Sequence, residues 1–266
     1  MDNKLLAQTI EHLKNFEEVD AIALGGSRAS DWFDDASDYD VYAFLNRDLP
    51  VEKRAPFLNE TCKHADLGKT HWGVYWDDCV LRCGTPLEIT YMSLDVTRQN
   101  LENHLVKHIA HGGYTTCVCF IVFNAIILHD PRGLYEQMKK RFSQPYPEQL
   151  RKNIITQNRE LLYGITPSYL NQLEKAVSRN DFISVNHRMA VFASAYFDII
   201  FALNRQFHPG EKKLIKLCKK MCPQLPANFE ENLLAFFAAN GDKKTIGIAR
   251  NIIANLDFLL QDEVLK

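Results

Sequence analysis

Asp38 and Asp40 stand one residue apart at the head of an apolar run, Val41 to Leu45. A strand sends alternate side chains to one face, so the two carboxylates point the same way. Two such acids repel each other unless a cation lies between them. Oxygen-only ligands of this kind suit Mg²⁺, with a phosphate as its other partner. Ten residues of spacer separate them from Ser27, where an earlier apolar run, Ala21 to Leu24, stops at Gly25-Gly26-Ser27. Paired glycines let the backbone turn sharply and let a polyanion approach bare N–H groups. Ser27 adds a hydroxyl donor and Arg28 a positive charge.

The pattern Leu24-Gly25-Gly26-Ser27, spacer, Asp38-Tyr39-Asp40-Val41 resembles the signature of the nucleotidyltransferase superfamily. That superfamily includes DNA polymerase β and the enzymes that adenylylate aminoglycoside and lincosamide antibiotics. The match covers under a tenth of the chain. The competing reading is a strand turn followed by an acidic loop, since Asp31, Asp34 and Asp35 lie between the two halves. The resemblance implies a nucleotide-binding set of Gly25, Gly26, Ser27 and Arg28, with Gly26 and Ser27 gripping the β- and γ-phosphates. It implies Asp38 and Asp40 as ligands of two Mg²⁺ ions, with ATP as co-substrate. It also implies a third carboxylate on a neighbouring strand, as metal ligand or general base. Glu88, inside the apolar pattern Leu87 to Met92, is the choice; an ion pair with Arg82 is its structural alternative. Asp66 and Asp95 are rivals, and Asp95 also suits a helix N-terminus. From the second half, Lys212 fits the place of a lysine that reaches the triphosphate in antibiotic-modifying relatives, with Lys213 as alternate. The expected reaction moves AMP from ATP onto a hydroxyl of a small molecule and releases pyrophosphate. A different class of function stays open: a non-catalytic nucleotide- or partner-binding module, antitoxin-like, that retains the fold.

Composition bounds these readings. The 266 residues are enough for one large domain or two modest ones. A net charge of −2 gives no global case for long nucleic acid, which favours a small-molecule acceptor. The longest apolar run, Cys117 to Leu128, is too short for a membrane span. The N-terminus reads as an amphipathic helix rather than a signal peptide. Seven scattered cysteines then read as reduced thiols in a cytoplasmic protein, without the spacing of a zinc site.

The elements that must position these residues follow from periodicity. A helix is expected over 3–16, with Leu5, Leu6, Ile10 and Leu13 on one face. Strands are expected over 19–24 and 38–45, the second turning Val41 and Ala43 inward. Residues 46–66 read as a loop with a short helix. His71 to Trp76 and Cys79 to Arg82 read as a hairpin turning at Asp77-Asp78. Leu87 to Met92 is a further strand, with Glu88, Thr90 and Met92 on one face. Ser93 caps a helix, Thr115 to Leu128 is strand or buried helix, and Asp130-Pro131 opens another helix. Beyond Pro145 and Pro147 the pattern is helical over 147–163, 167–179, 181–206, 210–221, 227–239 and 243–264. The expected fold is therefore α+β: a small mixed sheet lobe, 1–145, followed by an all-helical bundle, 146–266. By the resemblance, the first is the catalytic nucleotidyltransferase domain and the second closes over substrate or nucleotide.

Overall fold

The computed structural model describes residues 4–29, 37–70 and 74–264. The chain divides into two compact units, Met1–Glu102 with Val118–Gln144, and Asn103–Cys117 with Pro145–Lys266. The segment 103–117, which the sequence reading placed in the first lobe, thus belongs with the helices that follow.

Among the described residues, the first unit is built on six strands: β1 (Val19–Gly25), β2 (Tyr39–Leu45), β3 (Cys62–Lys69), β4 (Tyr75–Leu81), β5 (Pro86–Ser93) and β6 (Ile126–His129). They lie in the order β3-β4-β5-β2-β1-β6. Only β2 and β5 run parallel; the remaining neighbours are antiparallel. The sheet is mixed, as the α+β reading requires. Alternation sets its faces. In β5, Leu87, Ile89 and Tyr91 are buried, whereas Glu88 is exposed and Thr90 half-buried. On the buried face, Ile22, Leu24, Val41, Ala43 and Ile89 pack with Leu6, Ile10 and Leu13 of α1 (Lys4–Leu13) and Phe57 and Leu58 of α2 (Val51–Thr61). Thr9 and Thr61 hydroxyls, 3.1 Å apart, tie the two helices together. Each fully buried Leu or Ile side chain contributes about 1.5–3 kcal/mol here. On the opposite face, Phe44 meets Tyr135 of α5 (Leu134–Phe142), ring centroids 4.6 Å apart.

Two expectations are corrected. Asp77-Asp78 is not a turn: both lie within β4, and the chain reverses at 82–85 instead. Asp-Asp is turn chemistry only when both carboxylates reach water. Here Asp77 is fully buried and accepts from Arg54 Nε at 2.7 Å, Tyr91 Oη at 2.8 Å and Gly68 N at 2.8 Å. Residues 62–66, the end of the stretch read as a loop with a short helix, belong to β3, an edge strand whose polar, exposed face hides its alternation. His71 to Gly73, the start of the expected hairpin, lie outside the described residues. The stretch 115–128 resolves into both alternatives, α4 (Cys117–Asn124) and then β6. Ser93 does cap α3 (Leu94–Leu105), its Oγ accepting from Val96 N at 3.3 Å.

The second unit is helical: α6 (Glu148–Arg159), which widens into a π-helical turn at Glu160–Gly164, then α7 (Tyr169–Ser178), α8 (Phe182–Leu203), α9 (Leu214–Met221), α10 (Phe229–Ala239) and α11 (Lys244–Val264). Helix α8 is its axis: from Ala195 to Leu203 every residue is buried. Asp198 sits within that stretch and accepts from Thr115 N at 3.1 Å, Thr115 Oγ1 at 2.7 Å and Asn158 Nδ2 at 3.1 Å. These bonds fasten the segment 103–117 to the helices. Among the described residues, no helix is long and apolar enough to cross a membrane. The seven cysteines are all among the described residues, and none is in a disulfide.

Candidate functional site

Three neighbouring strands bring the first-unit residues together. In β1–β2, Gly25 lies opposite Asp40; in β2–β5, Asp40 lies beside Glu88. Register partners share a face and stand about 5 Å apart. Asp40 and Glu88 are therefore adjacent on the face away from the α1/α2 core. Asp38, half-buried, precedes β2 by one residue.

The two glycines are dictated by close approach. A Cβ on Gly25 would come within 2.2 Å of the Tyr42 ring. A Cβ on Gly26 would meet an Asp40 carboxylate oxygen at 1.7 Å, and Gly26 has φ +61, a left-handed conformation that suits glycine. The Asp40 carboxylate thus lies directly against the Gly26 turn. Ser27 follows, opening a short 3₁₀ turn (Ser27–Ala29). Arg28, expected to add charge for a phosphate, also has a scaffolding task. Its Nε donates to the carbonyls of Ser37 at 2.8 Å and Asp38 at 3.1 Å, and its guanidinium lies 4.2 Å over the Tyr39 ring. It pins the end of the spacer, most of which (30–36) lies outside the described residues.

Tyr42 reports the local field. Burial raises its phenol well above the ordinary value, and Asp40, Glu88 and Asp38 raise it further. All three predicted carboxylates therefore act on one half-buried ring.

Glu88 is exposed, and its Oε1 accepts from Thr90 Oγ1 at 3.2 Å. Arg82, the structural alternative, donates instead to the carbonyls of Glu60 and Asn59. Of the rivals, Asp95 pairs with Arg98 at 2.9 Å in the first turn of α3. Asp66 lies farther along the same transverse row: Asp40, Glu88, Asp78 and Asp66 are register neighbours on β2, β5, β4 and β3. Like charges so placed destabilise a sheet. Lys69 relieves the far end, its Nζ 3.0 Å from Asp66 and 3.2 Å from Asp78. Sequence reading missed Tyr42 and Asp78 on this face, and it set Trp76, the register neighbour of Thr90, aside as a packing aromatic. Reading 75–81 as one alternating strand is the signal that places Asp78 and Trp76 here. In the helical unit, Lys212 and Lys213 are exposed just before α9.

The donors fit a hard divalent cation in chemistry: carboxylate oxygens, side by side, on a solvent-facing surface. Among the described residues, no group of three or more His, Cys, Asp or Glu side chains gathers closely enough to hold a metal ion. The acids that come nearest to such a set are the register neighbours Asp40 and Glu88, with Asp38 two residues before Asp40.

A family model described as "Domain of unknown function (DUF4037)" matches residues 115–214. No curated protein matches the chain. Among solved structures, the chain is similar to a nucleotidyltransferase-like protein from Exiguobacterium sibiricum 255-15, at 12% identity and a TM-score of 0.42, covering 98% of this chain and 74% of that one. It is also similar to an aminoglycoside 6-adenyltransferase from Bacillus subtilis, at 11% identity and a TM-score of 0.32, covering 98% of this chain and 92% of that one.

Proposed function

We propose that the chain is a nucleotidyltransferase that moves AMP from ATP onto a hydroxyl of a small molecule and releases pyrophosphate. One observation carries the reading: Asp40 is at once the register neighbour of Glu88 and the side chain packed against the Gly26 turn. A phosphate gripped at Gly25, Gly26 and Ser27 is thereby brought next to carboxylates. Asp38 and Asp40 are the proposed Mg²⁺ ligands, and Glu88 is the third ligand or the base for the acceptor hydroxyl. Mg²⁺, when bound, supplies charge neutralisation on the transferring phosphate and the leaving pyrophosphate. The chain supplies positioning, which is most of what such a transfer asks of a protein. The proposal carries Lys212 as a phosphate-binding lysine, and Lys212→Ala is expected to raise the KM for ATP. Acceptors to try first are hydroxylated antibiotics of the aminoglycoside and lincosamide kinds.

The test is Mg²⁺-dependent pyrophosphate release from ATP with a panel of hydroxylated acceptors. Release by the wild type and its loss in Asp38→Asn and Asp40→Asn support the reading; equal turnover in those variants overturns it. A second reading, a binding module without turnover, is favoured by the lack of a gathered three-ligand set among the described residues. Its mark would be ATP binding that survives both substitutions, with no pyrophosphate released for any acceptor.

A further inference from the structure

Helix α5 carries three cations in its last turn, Lys139, Lys140 and Arg141. Lys140 and Arg141 are exposed, where they complement the C-terminal end of the helix dipole. Lys139 differs from both. It is half-buried, its Nζ donates to the Ala125 carbonyl at 3.3 Å, and it lies 5.9 Å from the centroid of the Tyr135 ring. Among the described residues no carboxylate pairs with it. Burial lowers its ammonium from the ordinary value, and the field of Glu136, one turn back, restores only part of that loss. One carbonyl and one aromatic face are thin compensation for a cation drawn out of water.

Ala125 fixes where that ammonium stands against the sheet. Strand β6 pairs with β1 through Ile126 and Leu24. Continuing this antiparallel register by one residue sets Ala125 beside Gly25, at a strand spacing of about 5 Å. Register neighbours share a face, so Ala125 lies on the face of Gly25 and Asp40. Helix α5 packs on the same face, where Tyr135 meets Phe44. Tyr42, whose ring lies against Gly25, is near enough to Tyr135 to add to the rise that burial causes in its phenol. The Gly25-Gly26 turn is therefore bordered by the Asp40 carboxylate on its β2 side and by the Lys139 ammonium on its β6 side. Lysine and turn belong to one compact unit.

We propose that Lys139 is a nucleotide-binding residue that meets the β- and γ-phosphates held at the Gly25-Gly26-Ser27 turn. The inference rests on the nucleotidyltransferase reading and adds to it a cation from the sheet unit itself. Bare N–H groups with one ammonium at their edge are complementary to a polyanion. The triphosphate supplies the counter-charge that no side chain gives Lys139. The flexible four-carbon stem lets the ammonium leave the Ala125 carbonyl and follow the phosphates. The acid proposed for Mg²⁺ and the cation proposed for phosphate thus flank one turn from opposite sides.

The experiment is calorimetric titration of the full chain with α,β-methylene-ATP and Mg²⁺, in the wild type, Lys139→Met, Lys140→Met and Asp38→Asn/Asp40→Asn. Methionine keeps most of the stem beside Tyr135 and removes the charge. Lys139→Met is expected to weaken binding by about tenfold or more, and Lys140→Met by about twofold at most. Lys139→Gln, polar but uncharged, is expected to match Lys139→Met. AMP, which lacks the β- and γ-phosphates, is expected to bind the wild type and Lys139→Met alike. Thermal melts without ligand separate this role from a structural one: removing an unpaired, half-buried charge is expected to hold or raise the midpoint. A lowered midpoint with unchanged affinity overturns the proposal, as does an equal loss for AMP. Binding that is lost in Asp38→Asn/Asp40→Asn but kept in Lys139→Met removes Lys139 from the site and leaves the nucleotidyltransferase reading standing. Absence of analogue binding to the wild type overturns the inference together with the nucleotide site it rests on.

Discussion

The Asp40 carboxylate has two neighbours that constrain it from opposite sides, the Gly26 turn and the Glu88 carboxylate. Removing its charge without changing its size tests its part in transfer. Asp40→Asn is expected to lower turnover by about 10²–10³-fold while raising the melting midpoint slightly, since Glu88 loses a like-charged neighbour, read by pyrophosphate release and thermal melts side by side. Gly26→Ala tests the other side. The new methyl group meets the Asp40 oxygen and adopts a strained φ, so the stability cost is about 1–2 kcal/mol, read by urea denaturation. The larger expected effect is on turnover, because Asp40 must move; full activity in a folded Gly26→Ala variant would show that its placement against the turn does not matter. At this scale the sequence was informative because glycine and aspartate each have few reasons to occupy such positions. Tyr42 was not legible: nothing in its local pattern tells that its ring fills the space beneath Gly25 and senses three acids, which depends on β1 and β5 lying to either side.

Among the elements, β4 shows how a buried ion pair can redirect a reading. Asp77 sits at an inward position of the strand because Arg54 of α2 meets it with two N–H groups, at 2.7 Å and 3.2 Å. Arg54 also lies 4.5 Å over the Tyr91 ring. Removing one member leaves the other buried and charged, so Arg54→Leu is expected to cost about 3–5 kcal/mol. The double variant Arg54→Leu/Asp77→Leu is expected to recover part of that, since both charges are then gone. Urea denaturation of the three chains checks this; equal losses in the single and double variants would mean that the pair contributes by packing alone. Long helices such as α8 and strands with clean alternation such as β5 were legible because one period runs through each. The partner that lets an aspartate sit inside β4 lies 23 residues away on another element, beyond the reach of any local pattern. The same holds for β3, whose pairing with β4 is fixed by the sheet.

For the whole molecule, acidity should be a lever on stability. Burial pushes the Asp198 carboxyl up from 3.8 to about 7, although Thr115 and Asn158 pull it back. Between those values the folded chain holds a proton there that the unfolded chain has released. The stability this proton confers is complete below 3.8, declines as the pH climbs, and is gone above about 7. Denaturation midpoints are expected to fall from pH 5 to pH 8, and Asp198→Asn to flatten that fall; a variant with the wild-type slope would assign the dependence to other groups. Because strand side chains alternate, a slip of β2 by one residue does not shift Asp40 slightly; it exchanges Asp40 with Val41, burying the acid and exposing the valine. The carboxylate array therefore has no graded intermediate forms. A single-residue insertion or deletion within β2 switches it off outright, whereas loops elsewhere can lengthen without touching it, so variation among related chains should leave the spacing inside β2 fixed while the connections around it drift.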